Sequence, residues 1–551
     1  MWPPWWPRRV PRVESVPQLL VLIRAEEHRL SFKTGPSVRD ILEEAGRQAR
    51  TACRGHGACG LCEIRVLAGE PPEPTLSERL HISPERLAQG VRLACQVHPS
   101  GDLHLEVLQP AAPTKWQSLP CEAFPASAWP GNGPRPVILP DVKEPLGVGV
   151  DLGTTNIRLA LLELKDGQCL AQRRGRNPQV SCGADVLTRL VAAAESPEAA
   201  RSLGDLAAAA IGEGLDDLSR REGIDLRRVA LLAVVGNTPM LALLAEKNQD
   251  RLLQPQYWQS PIDCRPESAA RWVEAWSLHP RAEVRLIQPL AGFVGSDLLA
   301  GLVATRFGAG PAPALFIDFG TNSEIALWDG SELWVTSAAG GPAFELWGLS
   351  HGLPAEPGAV YRVDRGPEGA LHFQVIGGEE PRGFCGSGLV DLITRLLETN
   401  RLSRTGKFPA GSAAAWRADL PTGASLGLTM EDVDNLQRAK AAIGTGVMVL
   451  ARHAGVKLAQ VQRVCVAGEF GRFLDIAAAQ AIGLLPALPA DRVELISDAA
   501  LRGCSDLILA PAAADYLSRM RTTAKLVNLA LTPDFEEIFL ANLYLEPLHE
   551  E

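Results

Sequence analysis

The sequence predicts an α/β protein of several domains, in which a small β-grasp domain precedes a larger, two-lobed α/β domain. Three observations carry this expectation. The chain has 551 residues, more than one hydrophobic core ordinarily organises, and usual domain sizes imply about three or four units. Beyond a proline-rich stretch, short apolar strand patterns end in glycine turns and alternate with long helical ones. One such turn, DLGTTN at Asp151, returns as DFGTNSE at Asp318, which points to a duplicated domain.

Composition narrows the class of protein. Hydrophobic residues make up 46% and charged residues 21% of the chain, the balance of a soluble globular protein with enough apolar surface for real cores. A formal net charge of -10 disfavours nucleic acid, whose phosphates require concentrated Lys and Arg. A protein or nucleotide partner is expected instead. The longest uncharged run, Ala230 to Ala245, is interrupted by Asn237, Thr238 and Pro239 and falls short of the ~20 apolar residues that cross a bilayer, so no membrane span is expected. The opening MWPPWWPRRVPRVES places Trp and Pro where a secretory signal carries an unbroken apolar stretch. Residues 1–16 are therefore read as a disordered tail and the chain as cytoplasmic.

Leu19 to Ile23 and Leu30 to Phe32 read as two strands around a charged turn, and a helical pattern runs from Val38 to Ala49 after Ser37. A β-grasp domain begins in this way, and its expected extent is residues 17–108. Residues 109–145, crowded with Pro, Ala, Gly and Trp and without sustained periodicity, read as a linker. The larger domain is expected over 146–551, with strands at Val148 to Val150 and Leu315 to Ile317.

Eleven cysteines invite a search for metal spacing. The segment CRGHGACGLC places Cys53, Cys59 and Cys62 in a CxxxxxCxxC loop, and Cys95 follows in LACQV. A 2Fe-2S cluster needs four thiolates around two irons, and Gly55, Gly57 and Gly60 would let the backbone curl so that N–H groups reach the sulfurs. Zinc ribbons usually present two CxxC-like pairs rather than three ligands plus one, so the spacing favours the cluster over zinc. These residues resemble the plant-type and adrenodoxin-type ferredoxins, with a first gap nearer the adrenodoxin side. The other seven, Cys121, Cys169, Cys182, Cys264, Cys385, Cys465 and Cys504, lack ligand spacing and are expected to be ordinary thiols.

GVGVDLGTTNIRLALLEL is a strand, a Gly/Thr turn and a second strand, and no GxxxxGK[ST] loop occurs in the chain. Such a hairpin can hold phosphates by backbone N–H groups and Thr hydroxyls, while an Asp at the strand end reaches Mg²⁺ through water. Asp151, Gly153, Thr154, Thr155 and Asn156 are the candidates in the first copy, and Asp318, Gly320, Thr321, Asn322 and Glu324 in the second. The pair of motifs resembles the phosphate motifs of the acetate and sugar kinase, Hsp70 and actin superfamily, a ribonuclease H-like fold in which ATP lies between two lobes. Gly468, Glu469 and Gly471 in VCVAGEFGRF resemble that superfamily's adenosine motif. Gly386, Ser387 and Gly388 precede an amphipathic helix, either as N–H donors facing an anion or as a plain cap at Ser387. Asp297 in GSDLLAG either orients water or Mg²⁺ or is simply a helix N-terminal acid.

The order of the two halves sharpens the resemblance. A ferredoxin module ahead of an actin-like ATPase, with NPQVSCGADVLTRL, VVGNTPMLALLA, LAGFVGSDLLAGL, AAGGPAFELWGLSHG and TMEDVDNLQRAKAAIGTGV, is similar to the reductive activators of corrinoid proteins, through to about residue 505. That resemblance implies ATP hydrolysis driving an electron from the 2Fe-2S cluster to an inactive Co(II) corrinoid, restoring the Co(I) form for methyl transfer. It implies a corrinoid protein or corrinoid-dependent methyltransferase as partner and an upstream low-potential reductant, and leaves a homodimer open. No residue reads as a corrinoid ligand, as expected when that cofactor belongs to the partner. The connector is short beside activators that carry an additional small domain at this point. An activator of a radical dehydratase, a small-molecule kinase with a redox sensor and a binding module with a degenerate ATP site are the competing readings. The four-cysteine set opposes the first, and the acids at Asp151, Asp318 and Glu324 oppose the last.

Overall fold

The computed structural model describes residues 17–548 except 24–25, 46, 48, 50–56, 58–59, 61, 109–115, 122–128, 130–138, 140, 184, 321, 341–348, 354, 367–369, 379, 410–414, 421–424 and 469–472. The expected tail, most of the cysteine loop and most of the expected linker thus lie outside the described residues. The chain divides into two compact units, Met1–Ser118 with Asp217–Ile224, and Leu119–Asp216 with Asp225–Glu551.

The smaller unit is built on five strands, β1 (Gln18–Ile23), β2 (Glu26–Ser31), β3 (Glu63–Gly69), β4 (Val91–Leu93) and β5 (Leu103–Val107), in the order β2-β1-β5-β3-β4. β1 and β5 run parallel at the centre and their neighbours are antiparallel, the β-grasp arrangement the first strands suggested. The helix Val38–Glu44 starts at Ser37, whose hydroxyl caps it in a reciprocal box with Asp40. It buries Val38, Ile41 and Leu42 against Leu19, Ile64 and Leu105 of the sheet. The helix ends before Ala49 because the Arg47 N–H turns back onto Leu42 O at 2.8 Å, a closure of the Schellman type, and the sequence supplies Gly46, a poor helix former, at that point. A three-residue strand, β6 (Gln117–Leu119), follows later in the chain.

The larger unit repeats one plan twice. β7 (Leu146–Leu152), β8 (Asn156–Glu163) and β9 (Cys169–Arg176) form an antiparallel meander, with β10 (Val229–Gly236) parallel to β7 and β11 (Glu283–Leu286) parallel to β10. β12 (Ala314–Phe319), β13 (Ser323–Trp328) and β14 (Leu333–Ala338) form the second meander. Here β15 (Ala359–Arg365), β16 (Leu371–Val375), β17 (Gly383–Phe384), β18 (Ala415–Asp419) and β19 (Ser425–Thr429) make smaller sheets. The chain then returns as β20 (Arg463–Ala467), parallel to β12, β21 (Val493–Leu495), parallel to β20, and β22 (Ala524–Leu526), parallel to β14. The duplicated turns therefore mark duplicated sheets.

Two helices, Ser296–Thr305 and Ala499–Leu509, join these sheets. Ala300, Leu501 and Cys504 pack with Ala160 and Leu231 of the first sheet, and Leu298 and Leu302 with Phe316 and Ala326 of the second. The helices touch backbone to backbone, since a Cβ on Gly503 would overlap Ala300 O. Trp129, from the stretch read as a linker, is only 5% exposed and packs in the second core, its ring 5.0 Å from that of Tyr516 and with the Arg306 guanidinium 5.2 Å away. No helix among the described residues is long and apolar enough to cross a membrane.

In the smaller unit a buried ion pair fixes the strand that leads to Cys95. Glu78 is fully buried and Arg92 is 3% exposed. Arg92 donates to both carboxylate oxygens at 2.8 and 2.9 Å, and the Leu93 and Thr75 N–H groups donate at 3.0 and 2.8 Å. Burial alone would raise the Glu78 pKa, but the hydrogen bonds from Arg92, Leu93 and Thr75 outweigh it and hold the group below the ordinary value of 4.5. Arg92→Met would leave that carboxylate buried and uncompensated, and is expected to cost about 3–5 kcal/mol. Urea denaturation of the full chain, followed by hydrogen exchange of the β3–β4 amides, measures it. Because the native pKa is depressed, the contribution is complete above the unfolded value of 4.5 and is lost as pH falls through the native one. Protection factors in β3–β4, taken against the intrinsic exchange rate at each pH, should therefore fall below pH 4.5, and should lose this pH dependence in Glu78→Gln.

Candidate functional site

The duplicated hairpins of the larger unit meet at one pocket. Asp151, Gly153, Thr154, Thr155 and Asn156 line it from the β7–β8 turn, and Asp318, Gly320, Asn322 and Glu324 from the β12–β13 turn. Asp297 enters from the start of the helix Ser296–Thr305 and Gly468 from the end of β20. Of the remaining residues expected at this site, Thr321, Glu469 and Gly471 lie outside the described residues.

The first turn is held from several sides. The Gly153 N–H donates to Asn156 O at 3.0 Å and the Asn177 N–H to Thr155 O at 2.8 Å. The Asn177 side-chain amide donates to Gly153 O at 2.9 Å, fully buried Arg189 donates to Thr154 O at 2.8 Å, and the Asn237 amide donates to the Thr154 hydroxyl at 3.0 Å. With its carbonyls engaged from behind, the turn keeps its outer polar groups in a fixed orientation, which suits an anion. At the second turn, Gly468 has φ +93°, and a Cβ there would overlap Phe319 O and lie 3.0 Å from Asp318 Oδ1. Glycine is the residue that lets β20 end against that hairpin.

Charge distinguishes the hairpins. Asp151 faces Arg158 across β7–β8, whereas Asp318 faces Glu324 across β12–β13. Directly opposed like charges are destabilising. Asp318 is pushed up to about 7, first by burial and then by the Asp151 charge, with Arg158 pulling the other way. Burial followed by Asp318 lifts Asp297 to about 7, and burial with Asp297 and Asp318 holds Glu324 well above the carboxylate range. Such a cluster attracts a hard divalent cation, and with it the phosphates that the carboxylates alone would repel. Among the described residues no three His, Cys, Asp or Glu side chains converge closely enough to hold a metal ion by themselves. A cation here would take oxygens from a bound ligand and from water, as Mg²⁺ does with a nucleotide.

Three polar residues not singled out in the sequence also line the pocket, Arg158, Asn237 and Asp498. Arg158 forms an ion pair with Asp498. Asp498 adopts a left-handed φ of 53° at the start of the helix Ala499–Leu509. The hairpin register made Arg158 findable, because it lies opposite Asp151. Asp498 is 340 positions away and gives no local signal.

Gly386, Ser387 and Gly388 are not at this pocket. The helix Gly386–Glu398 is capped at Cys385 without a side-chain bond, Ser387 donates its hydroxyl to Tyr361 O at 3.0 Å, and a Cβ on Gly388 would overlap Val360 O. The missing Cβ of Gly388 admits β15 to the helix, and the helix cap falls at Cys385 rather than at Ser387.

In the smaller unit, Cys62 and Cys95 are buried with their sulfurs 3.4 Å apart, while Cys53 and Cys59 lie outside the described residues. The Gln96 amide donates to the Cys95 sulfur at 3.6 Å. Cys95 is lowered to about 6 by its bond to Cys62, against the effect of burial, with help from Gln96, the Gly57 N–H and the Arg39 charge. Gly57 has φ +76°, and a Cβ there would come within 2.7 Å of Ser77 and 2.9 Å of Gln96. A thiol of raised acidity close to a second thiol and beside a tight backbone N–H suits iron–sulfur ligation.

Three family profiles match the chain. That described as the C-terminal domain of RACo, the ASKHA domain, covers residues 312–550, the RACo middle region covers 146–309, and the 2Fe-2S iron-sulfur cluster binding domain covers 21–100. Corrinoid activation enzyme RamQ of Eubacterium limosum is 29% identical over 418 residues, 72% of this chain and 70% of that protein. The [Co(II) methylated amine-specific corrinoid protein] reductase of Methanosarcina barkeri is 26% identical over 432 residues, 72% of this chain and 76% of that protein. A solved structure titled reductive activator for corrinoid,iron-sulfur protein shares the fold, with a TM-score of 0.65 at 24% identity over 96% of this chain and 99% of that one.

The carboxylate cluster has a measurable signature in stability. Asp297 and Asp318 carry native values near 7 against an ordinary 3.8, so between these values the folded chain binds more protons than the unfolded one. Stability of the nucleotide-free chain should then fall as pH rises from about 4 to 7 and level off above it. Asp318→Asn should stabilise the chain at pH 8 by roughly 1–2 kcal/mol, less than the full shift because the side chain keeps some solvent. Differential scanning calorimetry across this range checks both.

Proposed function

The chain belongs to the RACo family, in which a 2Fe-2S domain precedes an ASKHA domain, and we propose that it is an ATP-dependent reductive activator of a corrinoid protein. In this reading a 2Fe-2S cluster on Cys53, Cys59, Cys62 and Cys95 passes an electron to an inactive Co(II) corrinoid, regenerating Co(I) for methyl transfer. One observation carries it: a single chain holds a ferredoxin fold with paired buried thiols and a carboxylate-rich pocket between duplicated hairpins. A small-molecule kinase requires only the second of these.

Each half has a chemical task. The cluster supplies one-electron transfer near about -400 mV for a plant-type centre, and the burial and N–H environment of Cys62 and Cys95 tune it. The β7–β8 turn cradles phosphates through Gly153, Thr154, Thr155 and Asn156. Asp151, Asp318, Asp297 and Glu324 would hold Mg²⁺ and an attacking water, and Gly320, Asn322 and Gly468 shape the wall of the pocket. With an acceptor lower in potential than the cluster, electron transfer runs uphill. Nucleotide turnover offsets this only by favouring one state of the complex over another.

Co(II) corrinoid protein should accelerate ATP turnover, and the Co(I) or methylated form should not. With a low-potential reductant upstream, the Co(I) absorption band should require both ATP and the cluster. Cys59→Ser should remove most of the 2Fe-2S EPR signal and block Co(I) formation. Asp151→Ala and Asp318→Ala should keep that signal and lower ATP turnover at least 100-fold, the scale set by loss of one preorganised electrostatic group. Stimulation by sugars or carboxylates, with no response to any corrinoid protein of the same organism, would overturn the reading in favour of a kinase.

A further inference from the structure

Two cysteines without a part in either site meet in the larger unit. Cys121 is exposed, Cys169 opens β9 and is partly buried, and their sulfurs lie 3.1 Å apart. That is about 1 Å beyond the roughly 2.05 Å of a bonded pair, a gap that a small side-chain rotation closes. Among the described residues no other thiols combine proximity with access to solvent. Cys62 and Cys95 belong to the ferredoxin loop, Cys264, Cys385, Cys465 and Cys504 are buried, and Cys182 is partly buried beside Ser181.

We propose that Cys121 and Cys169 form a reversible disulfide, with a hydroperoxide as the oxidant and a dithiol as the reductant. The exposed Cys121 thiolate attacks the peroxide, forming an S–O bond and breaking the O–O bond to release hydroxide. Cys169 then attacks that sulfur, the S–S bond forms, and the second oxygen leaves as water with the Cys169 proton. The sum is two thiols and one hydrogen peroxide giving one disulfide and two waters. A dithiol restores both thiols and is itself oxidised.

The assignment of roles follows from the surroundings. The Cys169 thiol is pushed far up, first by its bond to Cys121 and then by burial, with only weak contacts from Gln172 and Ala171 opposing. It stays protonated while Cys121, which meets the solvent, carries the charge and reacts first; conversion of Cys121 to the neutral sulfenic acid removes that hindrance and frees Cys169 to attack. The bond would close a ring over positions 121 to 169 that contains β7, β8 and the whole Asp151–Asn156 turn. Oxidation would thereby write itself onto the hairpin that lines the pocket. The proposal is independent of what the pocket binds.

The test uses the full chain, reduced with dithiothreitol, desalted, treated with hydrogen peroxide, blocked with N-ethylmaleimide and digested with trypsin without reductant. Trypsin cuts between the two cysteines at Lys143, Arg158 and Lys165, so the bond joins separate peptides. The expected result is a linked Cys121–Cys169 peptide, lighter by two hydrogens, from chains that remain monomeric on a non-reducing gel, with both thiols recovered after dithiothreitol. Cys169→Ser should leave a Cys121 sulfenate that dimedone traps, and Cys121→Ser should leave Cys169 unoxidised. The proposal is overturned if wild-type Cys121 and Cys169 remain alkylated as in untreated protein, or if Cys121 is recovered bonded to another cysteine or another chain. The wild-type cross-link needs no variant, so a folding defect in either substitution leaves the test intact.

Discussion

The larger unit turns on a repulsion. Asp318 and Glu324 face each other across one hairpin, with Asp297 and Asp151 close enough to raise their proton affinities. Among the described residues lining this pocket, the cation is Arg158, and it is tied to Asp498. Charge compensation must therefore come from protons or from whatever binds, which makes occupancy and conformation interdependent. A core that simply maximised stability would carry apolar residues there.

The rest of the unit holds that crowding in place. Two sheets of the same plan bring their first turns to a shared pocket, and the helices Ser296–Thr305 and Ala499–Leu509, in backbone contact at Gly503 and Ala300, fix the spacing from below. Duplication does not make the turns equivalent. The first opposes Asp151 with Arg158 and is braced by Asn177, Arg189 and Asn237, so it presents a polar cradle of fixed orientation. The second opposes acid with acid. One turn is suited to an anion and the other to a cation, the division of labour a metal–nucleotide ligand requires.

Much of this was legible in the sequence where the signal was local. The two DxGT turns showed the duplication because an Asp at a strand end, a glycine and hydroxyl or amide side chains are needed together in so short a span. The start of the helix Val38–Glu44 was legible from Ser37, but its end was not, since the apolar pattern continues past the point where Arg47 turns back onto Leu42. The cap left open at Ser387 falls instead at Cys385, and a small residue near a helix start also serves close approach of a neighbouring strand, as Gly388 does for β15. Asp498 and the Cys121–Cys169 contact come from long-range packing, and Trp129 looked like linker because burial leaves no mark on a single aromatic residue.

Magnitude decides whether the pocket can drive anything. Two carboxylates lifted from 3.8 to about 7 correspond, at about 1.4 kcal/mol per unit and discounted for residual solvent, to a few kcal/mol, set first by burial and then by mutual repulsion. Coupling free energies between distant sites are typically 1–3 kcal/mol. The two quantities are commensurate, so a ligand that neutralises the carboxylates and later departs can bias a two-state element by the amount such coupling needs. A uniformly tight pocket would bind as well and shift nothing, because only a difference in affinity between states does work. The opposed acids of the second hairpin, costly to the resting fold, are the feature on which such a difference would draw.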